Sequence, residues 1–366
     1  MKKMNVLLMC NEAYINYVMV LLQSLFDNHL DVSIHVYLVY TSGKDEAYEK
    51  LEKFVVSTGI HTIDLVNVNI DLGKLKTSAY FSVECYYSLF PHLYLPTDMD
   101  RVLYLDVDTI VIQNIYDFYC EDFEDNYLIA CGASYQWKKP ENLARPKVDG
   151  FGYFNSGVIV YNLEKLRKEV ALDKYSYVLE HSEQFFFDQG MLNYLFFDKT
   201  KYEETLKYNF RCFIAFNKHK EIALKMIREQ EVCIFHYTCN AQPYKPWDLY
   251  IEDEAFFDNY RPAVYEREYM RIDKNLNEVI GFWWKYAKRT PIYESLYHDM
   301  KVKRTWILRN SIHDRINNAN KKMEDFIKEY GYLKYRRSLY EKGFNFLQSI
   351  GNYYGVDVGG VQFTAD

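Results

Sequence analysis

Apolar and polar positions along the first two thirds of the chain follow two rhythms, one with the period of strands and one with the period of helices. Residues 6–10 are an unbroken apolar run of strand length. Tyr14, Val18, Leu21, Leu22, Leu25 and Phe26 then recur at helical spacing. The pattern predicts strands over 33–39 and 60–68, with a helix over 45–56 between them. Residues 82–90 read as a helix that stops at Pro91. Strands follow at 101–105, 127–131 and 157–161, then a helix over 188–197 and a late strand at 231–235. Such alternation predicts an α/β fold, a mainly parallel sheet flanked by helices. Ligands of these sheets bind beyond the carboxyl ends of the strands.

After Trp247 the rhythm becomes helical only, which predicts a body over 1–250 and a helical C-terminal region over 251–366. Ile316, Met323, Phe326, Ile327, Tyr330, Leu333, Tyr340, Phe344 and Leu347 keep an approximate helical period, and the last residues read as a frayed end. From Phe282 to Leu347 there are 15 Lys and Arg against 7 Asp and Glu, a net of +8 in a chain whose total is −7. The body is therefore acidic and the tail basic. Trp283-Trp284-Lys285-Tyr286-Ala287-Lys288-Arg289 mixes indoles with cations. That mixture suits an anionic membrane surface. It equally suits a helix packing its tryptophans on the body or making a dimer contact.

Composition narrows the field. The chain has 366 residues, is 49% hydrophobic and 26% charged, and has no apolar run long enough to span a bilayer, so an ordinary water-soluble protein is expected. An acidic chain without a nucleic-acid motif argues against a nucleic-acid partner. The seven cysteines are unclustered, which argues against a disulfide framework or zinc knuckle and for a reducing compartment. Asn11 and Glu12 cut the first apolar run too short for a signal segment, so a first strand and a cytoplasmic location are expected.

The chemistry concentrates at Asp106-Val107-Asp108, after the apolar run Val102 to Leu105. If the strand continues, its alternation puts both carboxylates on one side. Two neighbouring carboxylates at the edge of a core call for a cation. His236 closes another apolar run, Val232 to Phe235. An Asp/Asp/His set suits Mn²⁺, whereas Mg²⁺, the second choice, prefers oxygen alone.

Around these residues the chain resembles glycosyltransferase family 8. Leu103 to Val111 is similar to that family's Asp-x-Asp segment, and Phe154-Asn155-Ser156-Gly157-Val158 to its Phe-Asn-[Ser/Ala]-Gly-Val segment. Asp188-Gln189-Gly190-Met191-Leu192-Asn193 resembles its Asp-Gln-x-x-Leu-Asn helix, and His236 followed by Lys245-Pro246-Trp247 its closing segment. The resemblance implies a GT-A fold and retaining transfer of a hexose, glucose or galactose, from a UDP-sugar to a bacterial surface glycan or glycolipid acceptor. It implies Mn²⁺ on Asp106, Asp108 and His236, and Gln189 beneath the anomeric carbon with Asp188 beside it. It puts the donor against Asn11, Tyr14, Val107, Asn155, Ser156 and Lys245, with Tyr14 stacked on uracil. It also implies peripheral contact of the C-terminal region with the inner face of the plasma membrane. The bland alternative for Asp188 is a helix N-cap.

The chain departs from the family pattern at several positions. Ser88 stands where the family has arginine, Asn11 where it has an acidic residue and Ala13 where it has asparagine. Ser134 replaces a further aspartate, and the loop after His236 is longer and lacks a glycine. These changes raise two alternatives: a sugar-nucleotide-binding protein with impaired turnover and, further off, an Asp-nucleophile phosphatase. For the latter, about 100 residues precede the motif and Thr109 falls one position early.

Overall fold

A computed structural model describes residues 1–70, 72, 75, 83–132, 153–203, 205–218, 220–238, 245–248, 250, 252, 274–303 and 321. The chain divides into two compact units, Met1–Asn240 with Phe282–Ile292, and Ala241–Gly281 with Tyr293–Asp366.

The first unit is built on the apolar runs that the pattern predicts. Strands β1 (Lys2–Cys10), β2 (Val32–Tyr40), β3 (Thr62–Val66), β4 (Arg101–Leu105), β6 (Leu128–Gly132), β7 (Phe154–Asn162) and β8 (Thr200–Glu203) form one sheet in the order β3-β2-β1-β4-β7-β6-β8. β1 pairs in parallel with β2 and β4, and β7 runs antiparallel between β4 and β6. Val6, Leu7, Leu8, Val36, Leu38, Leu103 and Leu105 are fully buried. Each such side chain contributes about 1.5–3 kcal/mol relative to exposure. The helix Ile15–Asp27 buries Val18, Leu21, Leu22, Leu25 and Phe26 against this sheet. The helix Glu46–Val56 starts at Asp45, whose side chain accepts the Tyr48 amide at 2.8 Å.

Of a second sheet only one strand, the late one expected over 231–235, has a counterpart in the sequence pattern. β5 (Thr109–Val111), β9 (Phe210–Arg211) and β10 (Ile234–His236) order as β5-β10-β9. Strands of two or three residues are too short to show a period. His29, to which the sequence assigns nothing, ties this region to the first helix. Its Nδ1 lies 2.7 Å from the Leu25 carbonyl, and its Nε2 accepts the Ile115 amide at 2.9 Å.

The expected helix over 82–90 is instead a 3₁₀ helix, Val83–Leu89, and Pro91 opens a short turn of helix, Pro91–Tyr94. A first-turn position leaves the missing proline N–H without consequence.

Part of the basic, aromatic tail packs on the body. Trp283 and Trp284 are buried, and the Trp283 ring meets Tyr17 edge-on at 6.2 Å. Asn28 donates to the Tyr286 hydroxyl at 3.0 Å, and Arg289 pairs with Asp27 at 2.6 Å. These indoles therefore serve as a packing face, the second of the two roles open to them. The helical period over 316–347, apart from Lys321, and the frayed end lie outside the described residues. No described helix is long and apolar enough to cross a membrane. In the second unit, the Lys245 amide donates to Asp248, which also pairs with Lys303 at 2.7 Å.

Candidate active site

β4 ends at Leu105, and residues 106–108 turn into β5. Contrary to the expected alternation, Asp106 and Asp108 are not successive same-face residues of one strand but flank a turn centred on the buried Val107. Backbone bonds fix that turn. The Asp106 carbonyl accepts from the Thr109 amide at 3.1 Å and hydroxyl at 2.7 Å, and the Asp106 amide donates to Gly157 at 2.8 Å. β10 runs antiparallel to β5 with His236 opposite Thr109, and the Tyr237 amide donates to the Asp108 carbonyl at 2.9 Å.

This pairing brings together three ligands that lie far apart in the chain. One ligand atom from each of Asp106, Asp108 and His236 falls within 4.8 Å of the others. His236 Nε2 lies 3.1 Å from Asp108 Oδ1 and 3.4 Å from Asp106 Oδ2. Tyr104 donates to Asp106 Oδ1 at 2.7 Å. Burial disfavours charge on His236, but Asp108 and Asp106 outweigh it and raise the proton affinity of the ring. Two carboxylates with an imidazole nitrogen facing them fit a divalent cation.

Gly157 clears the space. A β-carbon there would lie 2.2 Å from His236 Cε1 and 2.5 Å from Asp106 Oδ2. Asn209, which sequence reasoning missed, lies behind the imidazole, with its Oδ1 2.8 Å from His236 Nδ1. Tyr104 and Tyr153 were also missed. Asn209 and Tyr153 have no local motif, because their partners lie far away in sequence, whereas Tyr104 stands in the Leu103–Val111 segment, two residues before its partner Asp106.

Gln189 and Asp188 sit in the first turn of the helix Phe187–Phe196, entered through Phe187 at φ 47°. The N-cap position is Phe186, so Asp188 is not the cap of this helix. The Gln189 Oε1 accepts from Asn155 Nδ2 at 2.7 Å and the Ser156 amide at 3.3 Å, and its Nε2 donates to the Tyr153 hydroxyl at 3.0 Å. Asp188 is buried, and no ion pair to it is found among the described residues. The Ser88 hydroxyl donates to the Cys85 carbonyl at 2.7 Å and lies 3.4 Å from Asp188 Oδ2.

Burial, and then the charge of Asp106, push the Asp188 carboxyl up to about 7, against a hydrogen bond from Ser156. A carboxyl that holds its proton better folded than unfolded stabilises the fold at low pH. That contribution is lost as pH rises towards 7. In chelator, wild type should therefore lose about 2–3 kcal/mol more stability than Asp188→Asn between pH 5 and pH 8. Denaturant titrations at the two pH values measure this, and parallel profiles would mean that Asp188 stays ionised.

The remaining expected donor residues belong to several different segments. Tyr14 holds the N-cap position of the first helix, half-buried, with its ring edge-on to Tyr17 at 5.9 Å. The Asn11 side chain accepts the Ala13 amide at 3.0 Å. Ser156 and Asn155 are buried in β7. Lys245 belongs to the second unit, and Ser134 lies outside the described residues.

Comparison with known proteins agrees with this geometry. The pattern of Glycosyl transferase family 8 matches residues 5–250. A lipopolysaccharide 1,2-glucosyltransferase of Escherichia coli is 27% identical over 52% of this chain and 58% of its own length. The chain thus spans less than two thirds of that relative. A second, from strain K12, is 26% identical over 65% of this chain and 71% of its own length. Among solved structures, the galactosyltransferase LgtC in complex with donor and acceptor sugar analogues is 24% identical. It superposes with a TM-score of 0.55 over 76% of this chain and 95% of its own, and so shares the fold. With residues 5–250, two thirds of the chain, matched by the family's pattern, this chain belongs to glycosyltransferase family 8.

Proposed function

We propose that the protein transfers a hexose, glucose or galactose, from a UDP-sugar to a bacterial lipopolysaccharide-type glycan, with retention at the anomeric carbon. The convergence of Asp106, Asp108 and His236 carries this reading. The names of the relatives support the acceptor class: two act on lipopolysaccharide as glucosyltransferases, and one solved neighbour is a galactosyltransferase.

Asp106, Asp108 and His236 are the residues that would hold Mn²⁺. When bound, the ion supplies Lewis-acid stabilisation of the charge that develops on the leaving diphosphate. Gly157 lets the β7 backbone approach the donor. Tyr14 is proposed to stack on the base. Lys245 is proposed as a donor ligand on the resemblance alone. Gln189 supports retention without a covalent intermediate. An amide is a poor nucleophile, and the oxygen of this one already accepts from two donors. A front-face transfer, with Gln189 facing the developing positive charge, suits such a group. Cytoplasmic work at the inner membrane face remains part of the proposal. Any lipid contact then falls to residues other than the buried Trp283 and Trp284.

Gln189→Ala should slow transfer about 10- to 100-fold and leave UDP affinity within a few-fold of wild type. Equal losses in both would make Gln189 a binding residue only. The reading as a whole is tested by Mn²⁺-dependent UDP release from a panel of UDP-sugars, with and without truncated lipopolysaccharide. Release with UDP-glucose or UDP-galactose, stopped by chelator, is expected. Tight UDP binding without release from any donor would favour a binding protein with impaired turnover, which the loss of arginine at Ser88 makes a physical alternative.

A further inference from the structure

Five side chains in the centre of the first unit form one hydrogen-bonded chain. His236 Nδ1 meets Asn209 Oδ1 at 2.8 Å, Asn209 Nδ2 meets Asn155 Oδ1 at 2.9 Å, and Asn155 Nδ2 meets Gln189 Oε1 at 2.7 Å. Gln189 Nε2 then meets the Tyr153 hydroxyl at 3.0 Å. His236, Asn209, Asn155 and Tyr153 are all buried.

The sense of this chain is fixed by the backbone. The Gly157 amide donates to Asn155 Oδ1 at 3.2 Å, and the Ser156 amide donates to Gln189 Oε1 at 3.3 Å. A backbone N–H cannot reverse its role, so both side-chain oxygens must face β7. Asn155 Oδ1 then requires the Asn209 amide nitrogen as its partner, which turns Asn209 Oδ1 towards His236. An amide oxygen only accepts, so His236 Nδ1 must carry the proton. In the neutral ring the lone pair is then on Nε2, the nitrogen that faces Asp108 and Asp106. Two adjacent peptide groups of β7 thus set both the amide orientation of Gln189 and the tautomer of His236.

We infer that Asn209 is a positioning residue that couples the metal ligand His236 to Gln189 through this single-sense chain. The inference rests on the glycosyltransferase reading for the role of Gln189 and of the cation. Anything that draws electron density from His236 Nε2 makes its Nδ1–H a stronger donor, and successive bonds in a chain polarise one another. Cation binding is then felt at the Gln189 amide. An amide held in one orientation before the donor arrives avoids the cost of ordering it during transfer.

Asn209→Asp separates the two halves of the chain, because it can still accept from His236 but cannot donate to Asn155. Wild type and Asn209→Asp would be assayed for Mn²⁺ and UDP affinity and for transfer. Affinity is expected to stay within about threefold while kcat falls roughly 10- to 100-fold. In a Gln189→Ala background the same substitution should change kcat by less than about threefold, since its effect acts through Gln189. Asn209→Leu removes both bonds and should also weaken metal affinity about 10- to 100-fold. A readout independent of turnover is the Gln189 side-chain amide signal in glutamine-labelled protein. It should shift on adding Mg²⁺ and UDP to wild type and stay nearly still in Asn209→Asp. An unchanged kcat in Asn209→Asp, a full loss repeated in the Gln189→Ala background, or equal amide shifts in both proteins would overturn the coupling. Wild type that releases no UDP from any donor overturns the glycosyltransferase reading as well, whereas an active wild type with an inert Asn209→Asp overturns this inference alone.

Discussion

Asp108→Ala is expected to weaken Mn²⁺-dependent UDP binding by roughly 100-fold or more, a larger effect than loss of a group that merely supports a ligand. Asp108 is the more enclosed of the two carboxylates, with its side chain 12% exposed against 35% for Asp106. Its Oδ1 is also the carboxylate oxygen nearest to His236 Nε2, at 3.1 Å. Removing it leaves one half-open carboxylate and an imidazole, too few fixed ligands to hold a hard or borderline cation against water. The fold should survive. The Asp108 carbonyl, which the variant keeps, accepts the Tyr237 amide, and the β5–β10 register is made by backbone groups. Calorimetric titration of UDP with and without Mn²⁺ measures the effect, and a melting curve in chelator confirms folding. Unchanged metal-dependent affinity in a folded variant would remove Asp108 from the metal site.

Gly157→Ala should disable the same centre from the opposite side. The added β-carbon would lie 2.2 Å from His236 Cε1, 2.5 Å from Asp106 Oδ2 and 3.0 Å from Asp106 Cγ. Neither neighbour can retreat freely. His236 is fully buried and held through Nδ1 by Asn209. Asp106 is held by Tyr104 and through its own amide by the Gly157 carbonyl. Relief must come from moving a metal ligand or spreading β4 from β7. Overpacking of this kind costs about 1–3 kcal/mol of stability. A displacement near 1 Å in a reacting centre costs about 100-fold in rate. The glycine is needed here for space. Thermal melts and transfer rates test both parts, and a variant close to wild type in both would show that the centre relaxes around the methyl group.

Much of this was legible in the sequence. The strands β1, β2 and β4 and the first two helices follow from apolar runs and spacings within windows of about ten residues, where local propensity and burial agree. The segments carrying Asp106, Asp108 and His236 stand out because polar residues end apolar runs, and those carrying Asn155, Gly157, Asp188 and Gln189 through the resemblance to glycosyltransferase family 8. The errors arose where neighbours in space are strangers in sequence. The Asp-Val-Asp segment reads as a continued strand, but the Thr109 hydroxyl and amide close a turn on the Asp106 carbonyl. The alternative of a cap at Asp188 rests on its opening a helical pattern, whereas the helix begins one residue earlier. For Trp283 and Trp284 the sequence leaves membrane surface and packing face open, and Tyr17 packed against Trp283 in a buried setting supports the packing face.

By itself, then, the sequence determined the α/β class, the succession of the main strands along the chain and the residue types that could hold a cation, since these rest on short-range periodicity and side-chain chemistry, while the residues expected to face a sugar came from the family resemblance. The tertiary structure decided which of those residues meet. His236 reaches Asp108 only through the pairing of β10 with β5. Gly157 reaches Asp106 only because β7 lies antiparallel beside β4, and Asn209 joins His236 to Asn155 from a segment without a signal of its own. These contacts depend on sheet register between distant segments. Register is set by the burial of whole faces and by backbone hydrogen bonding, to which no single local stretch holds the key.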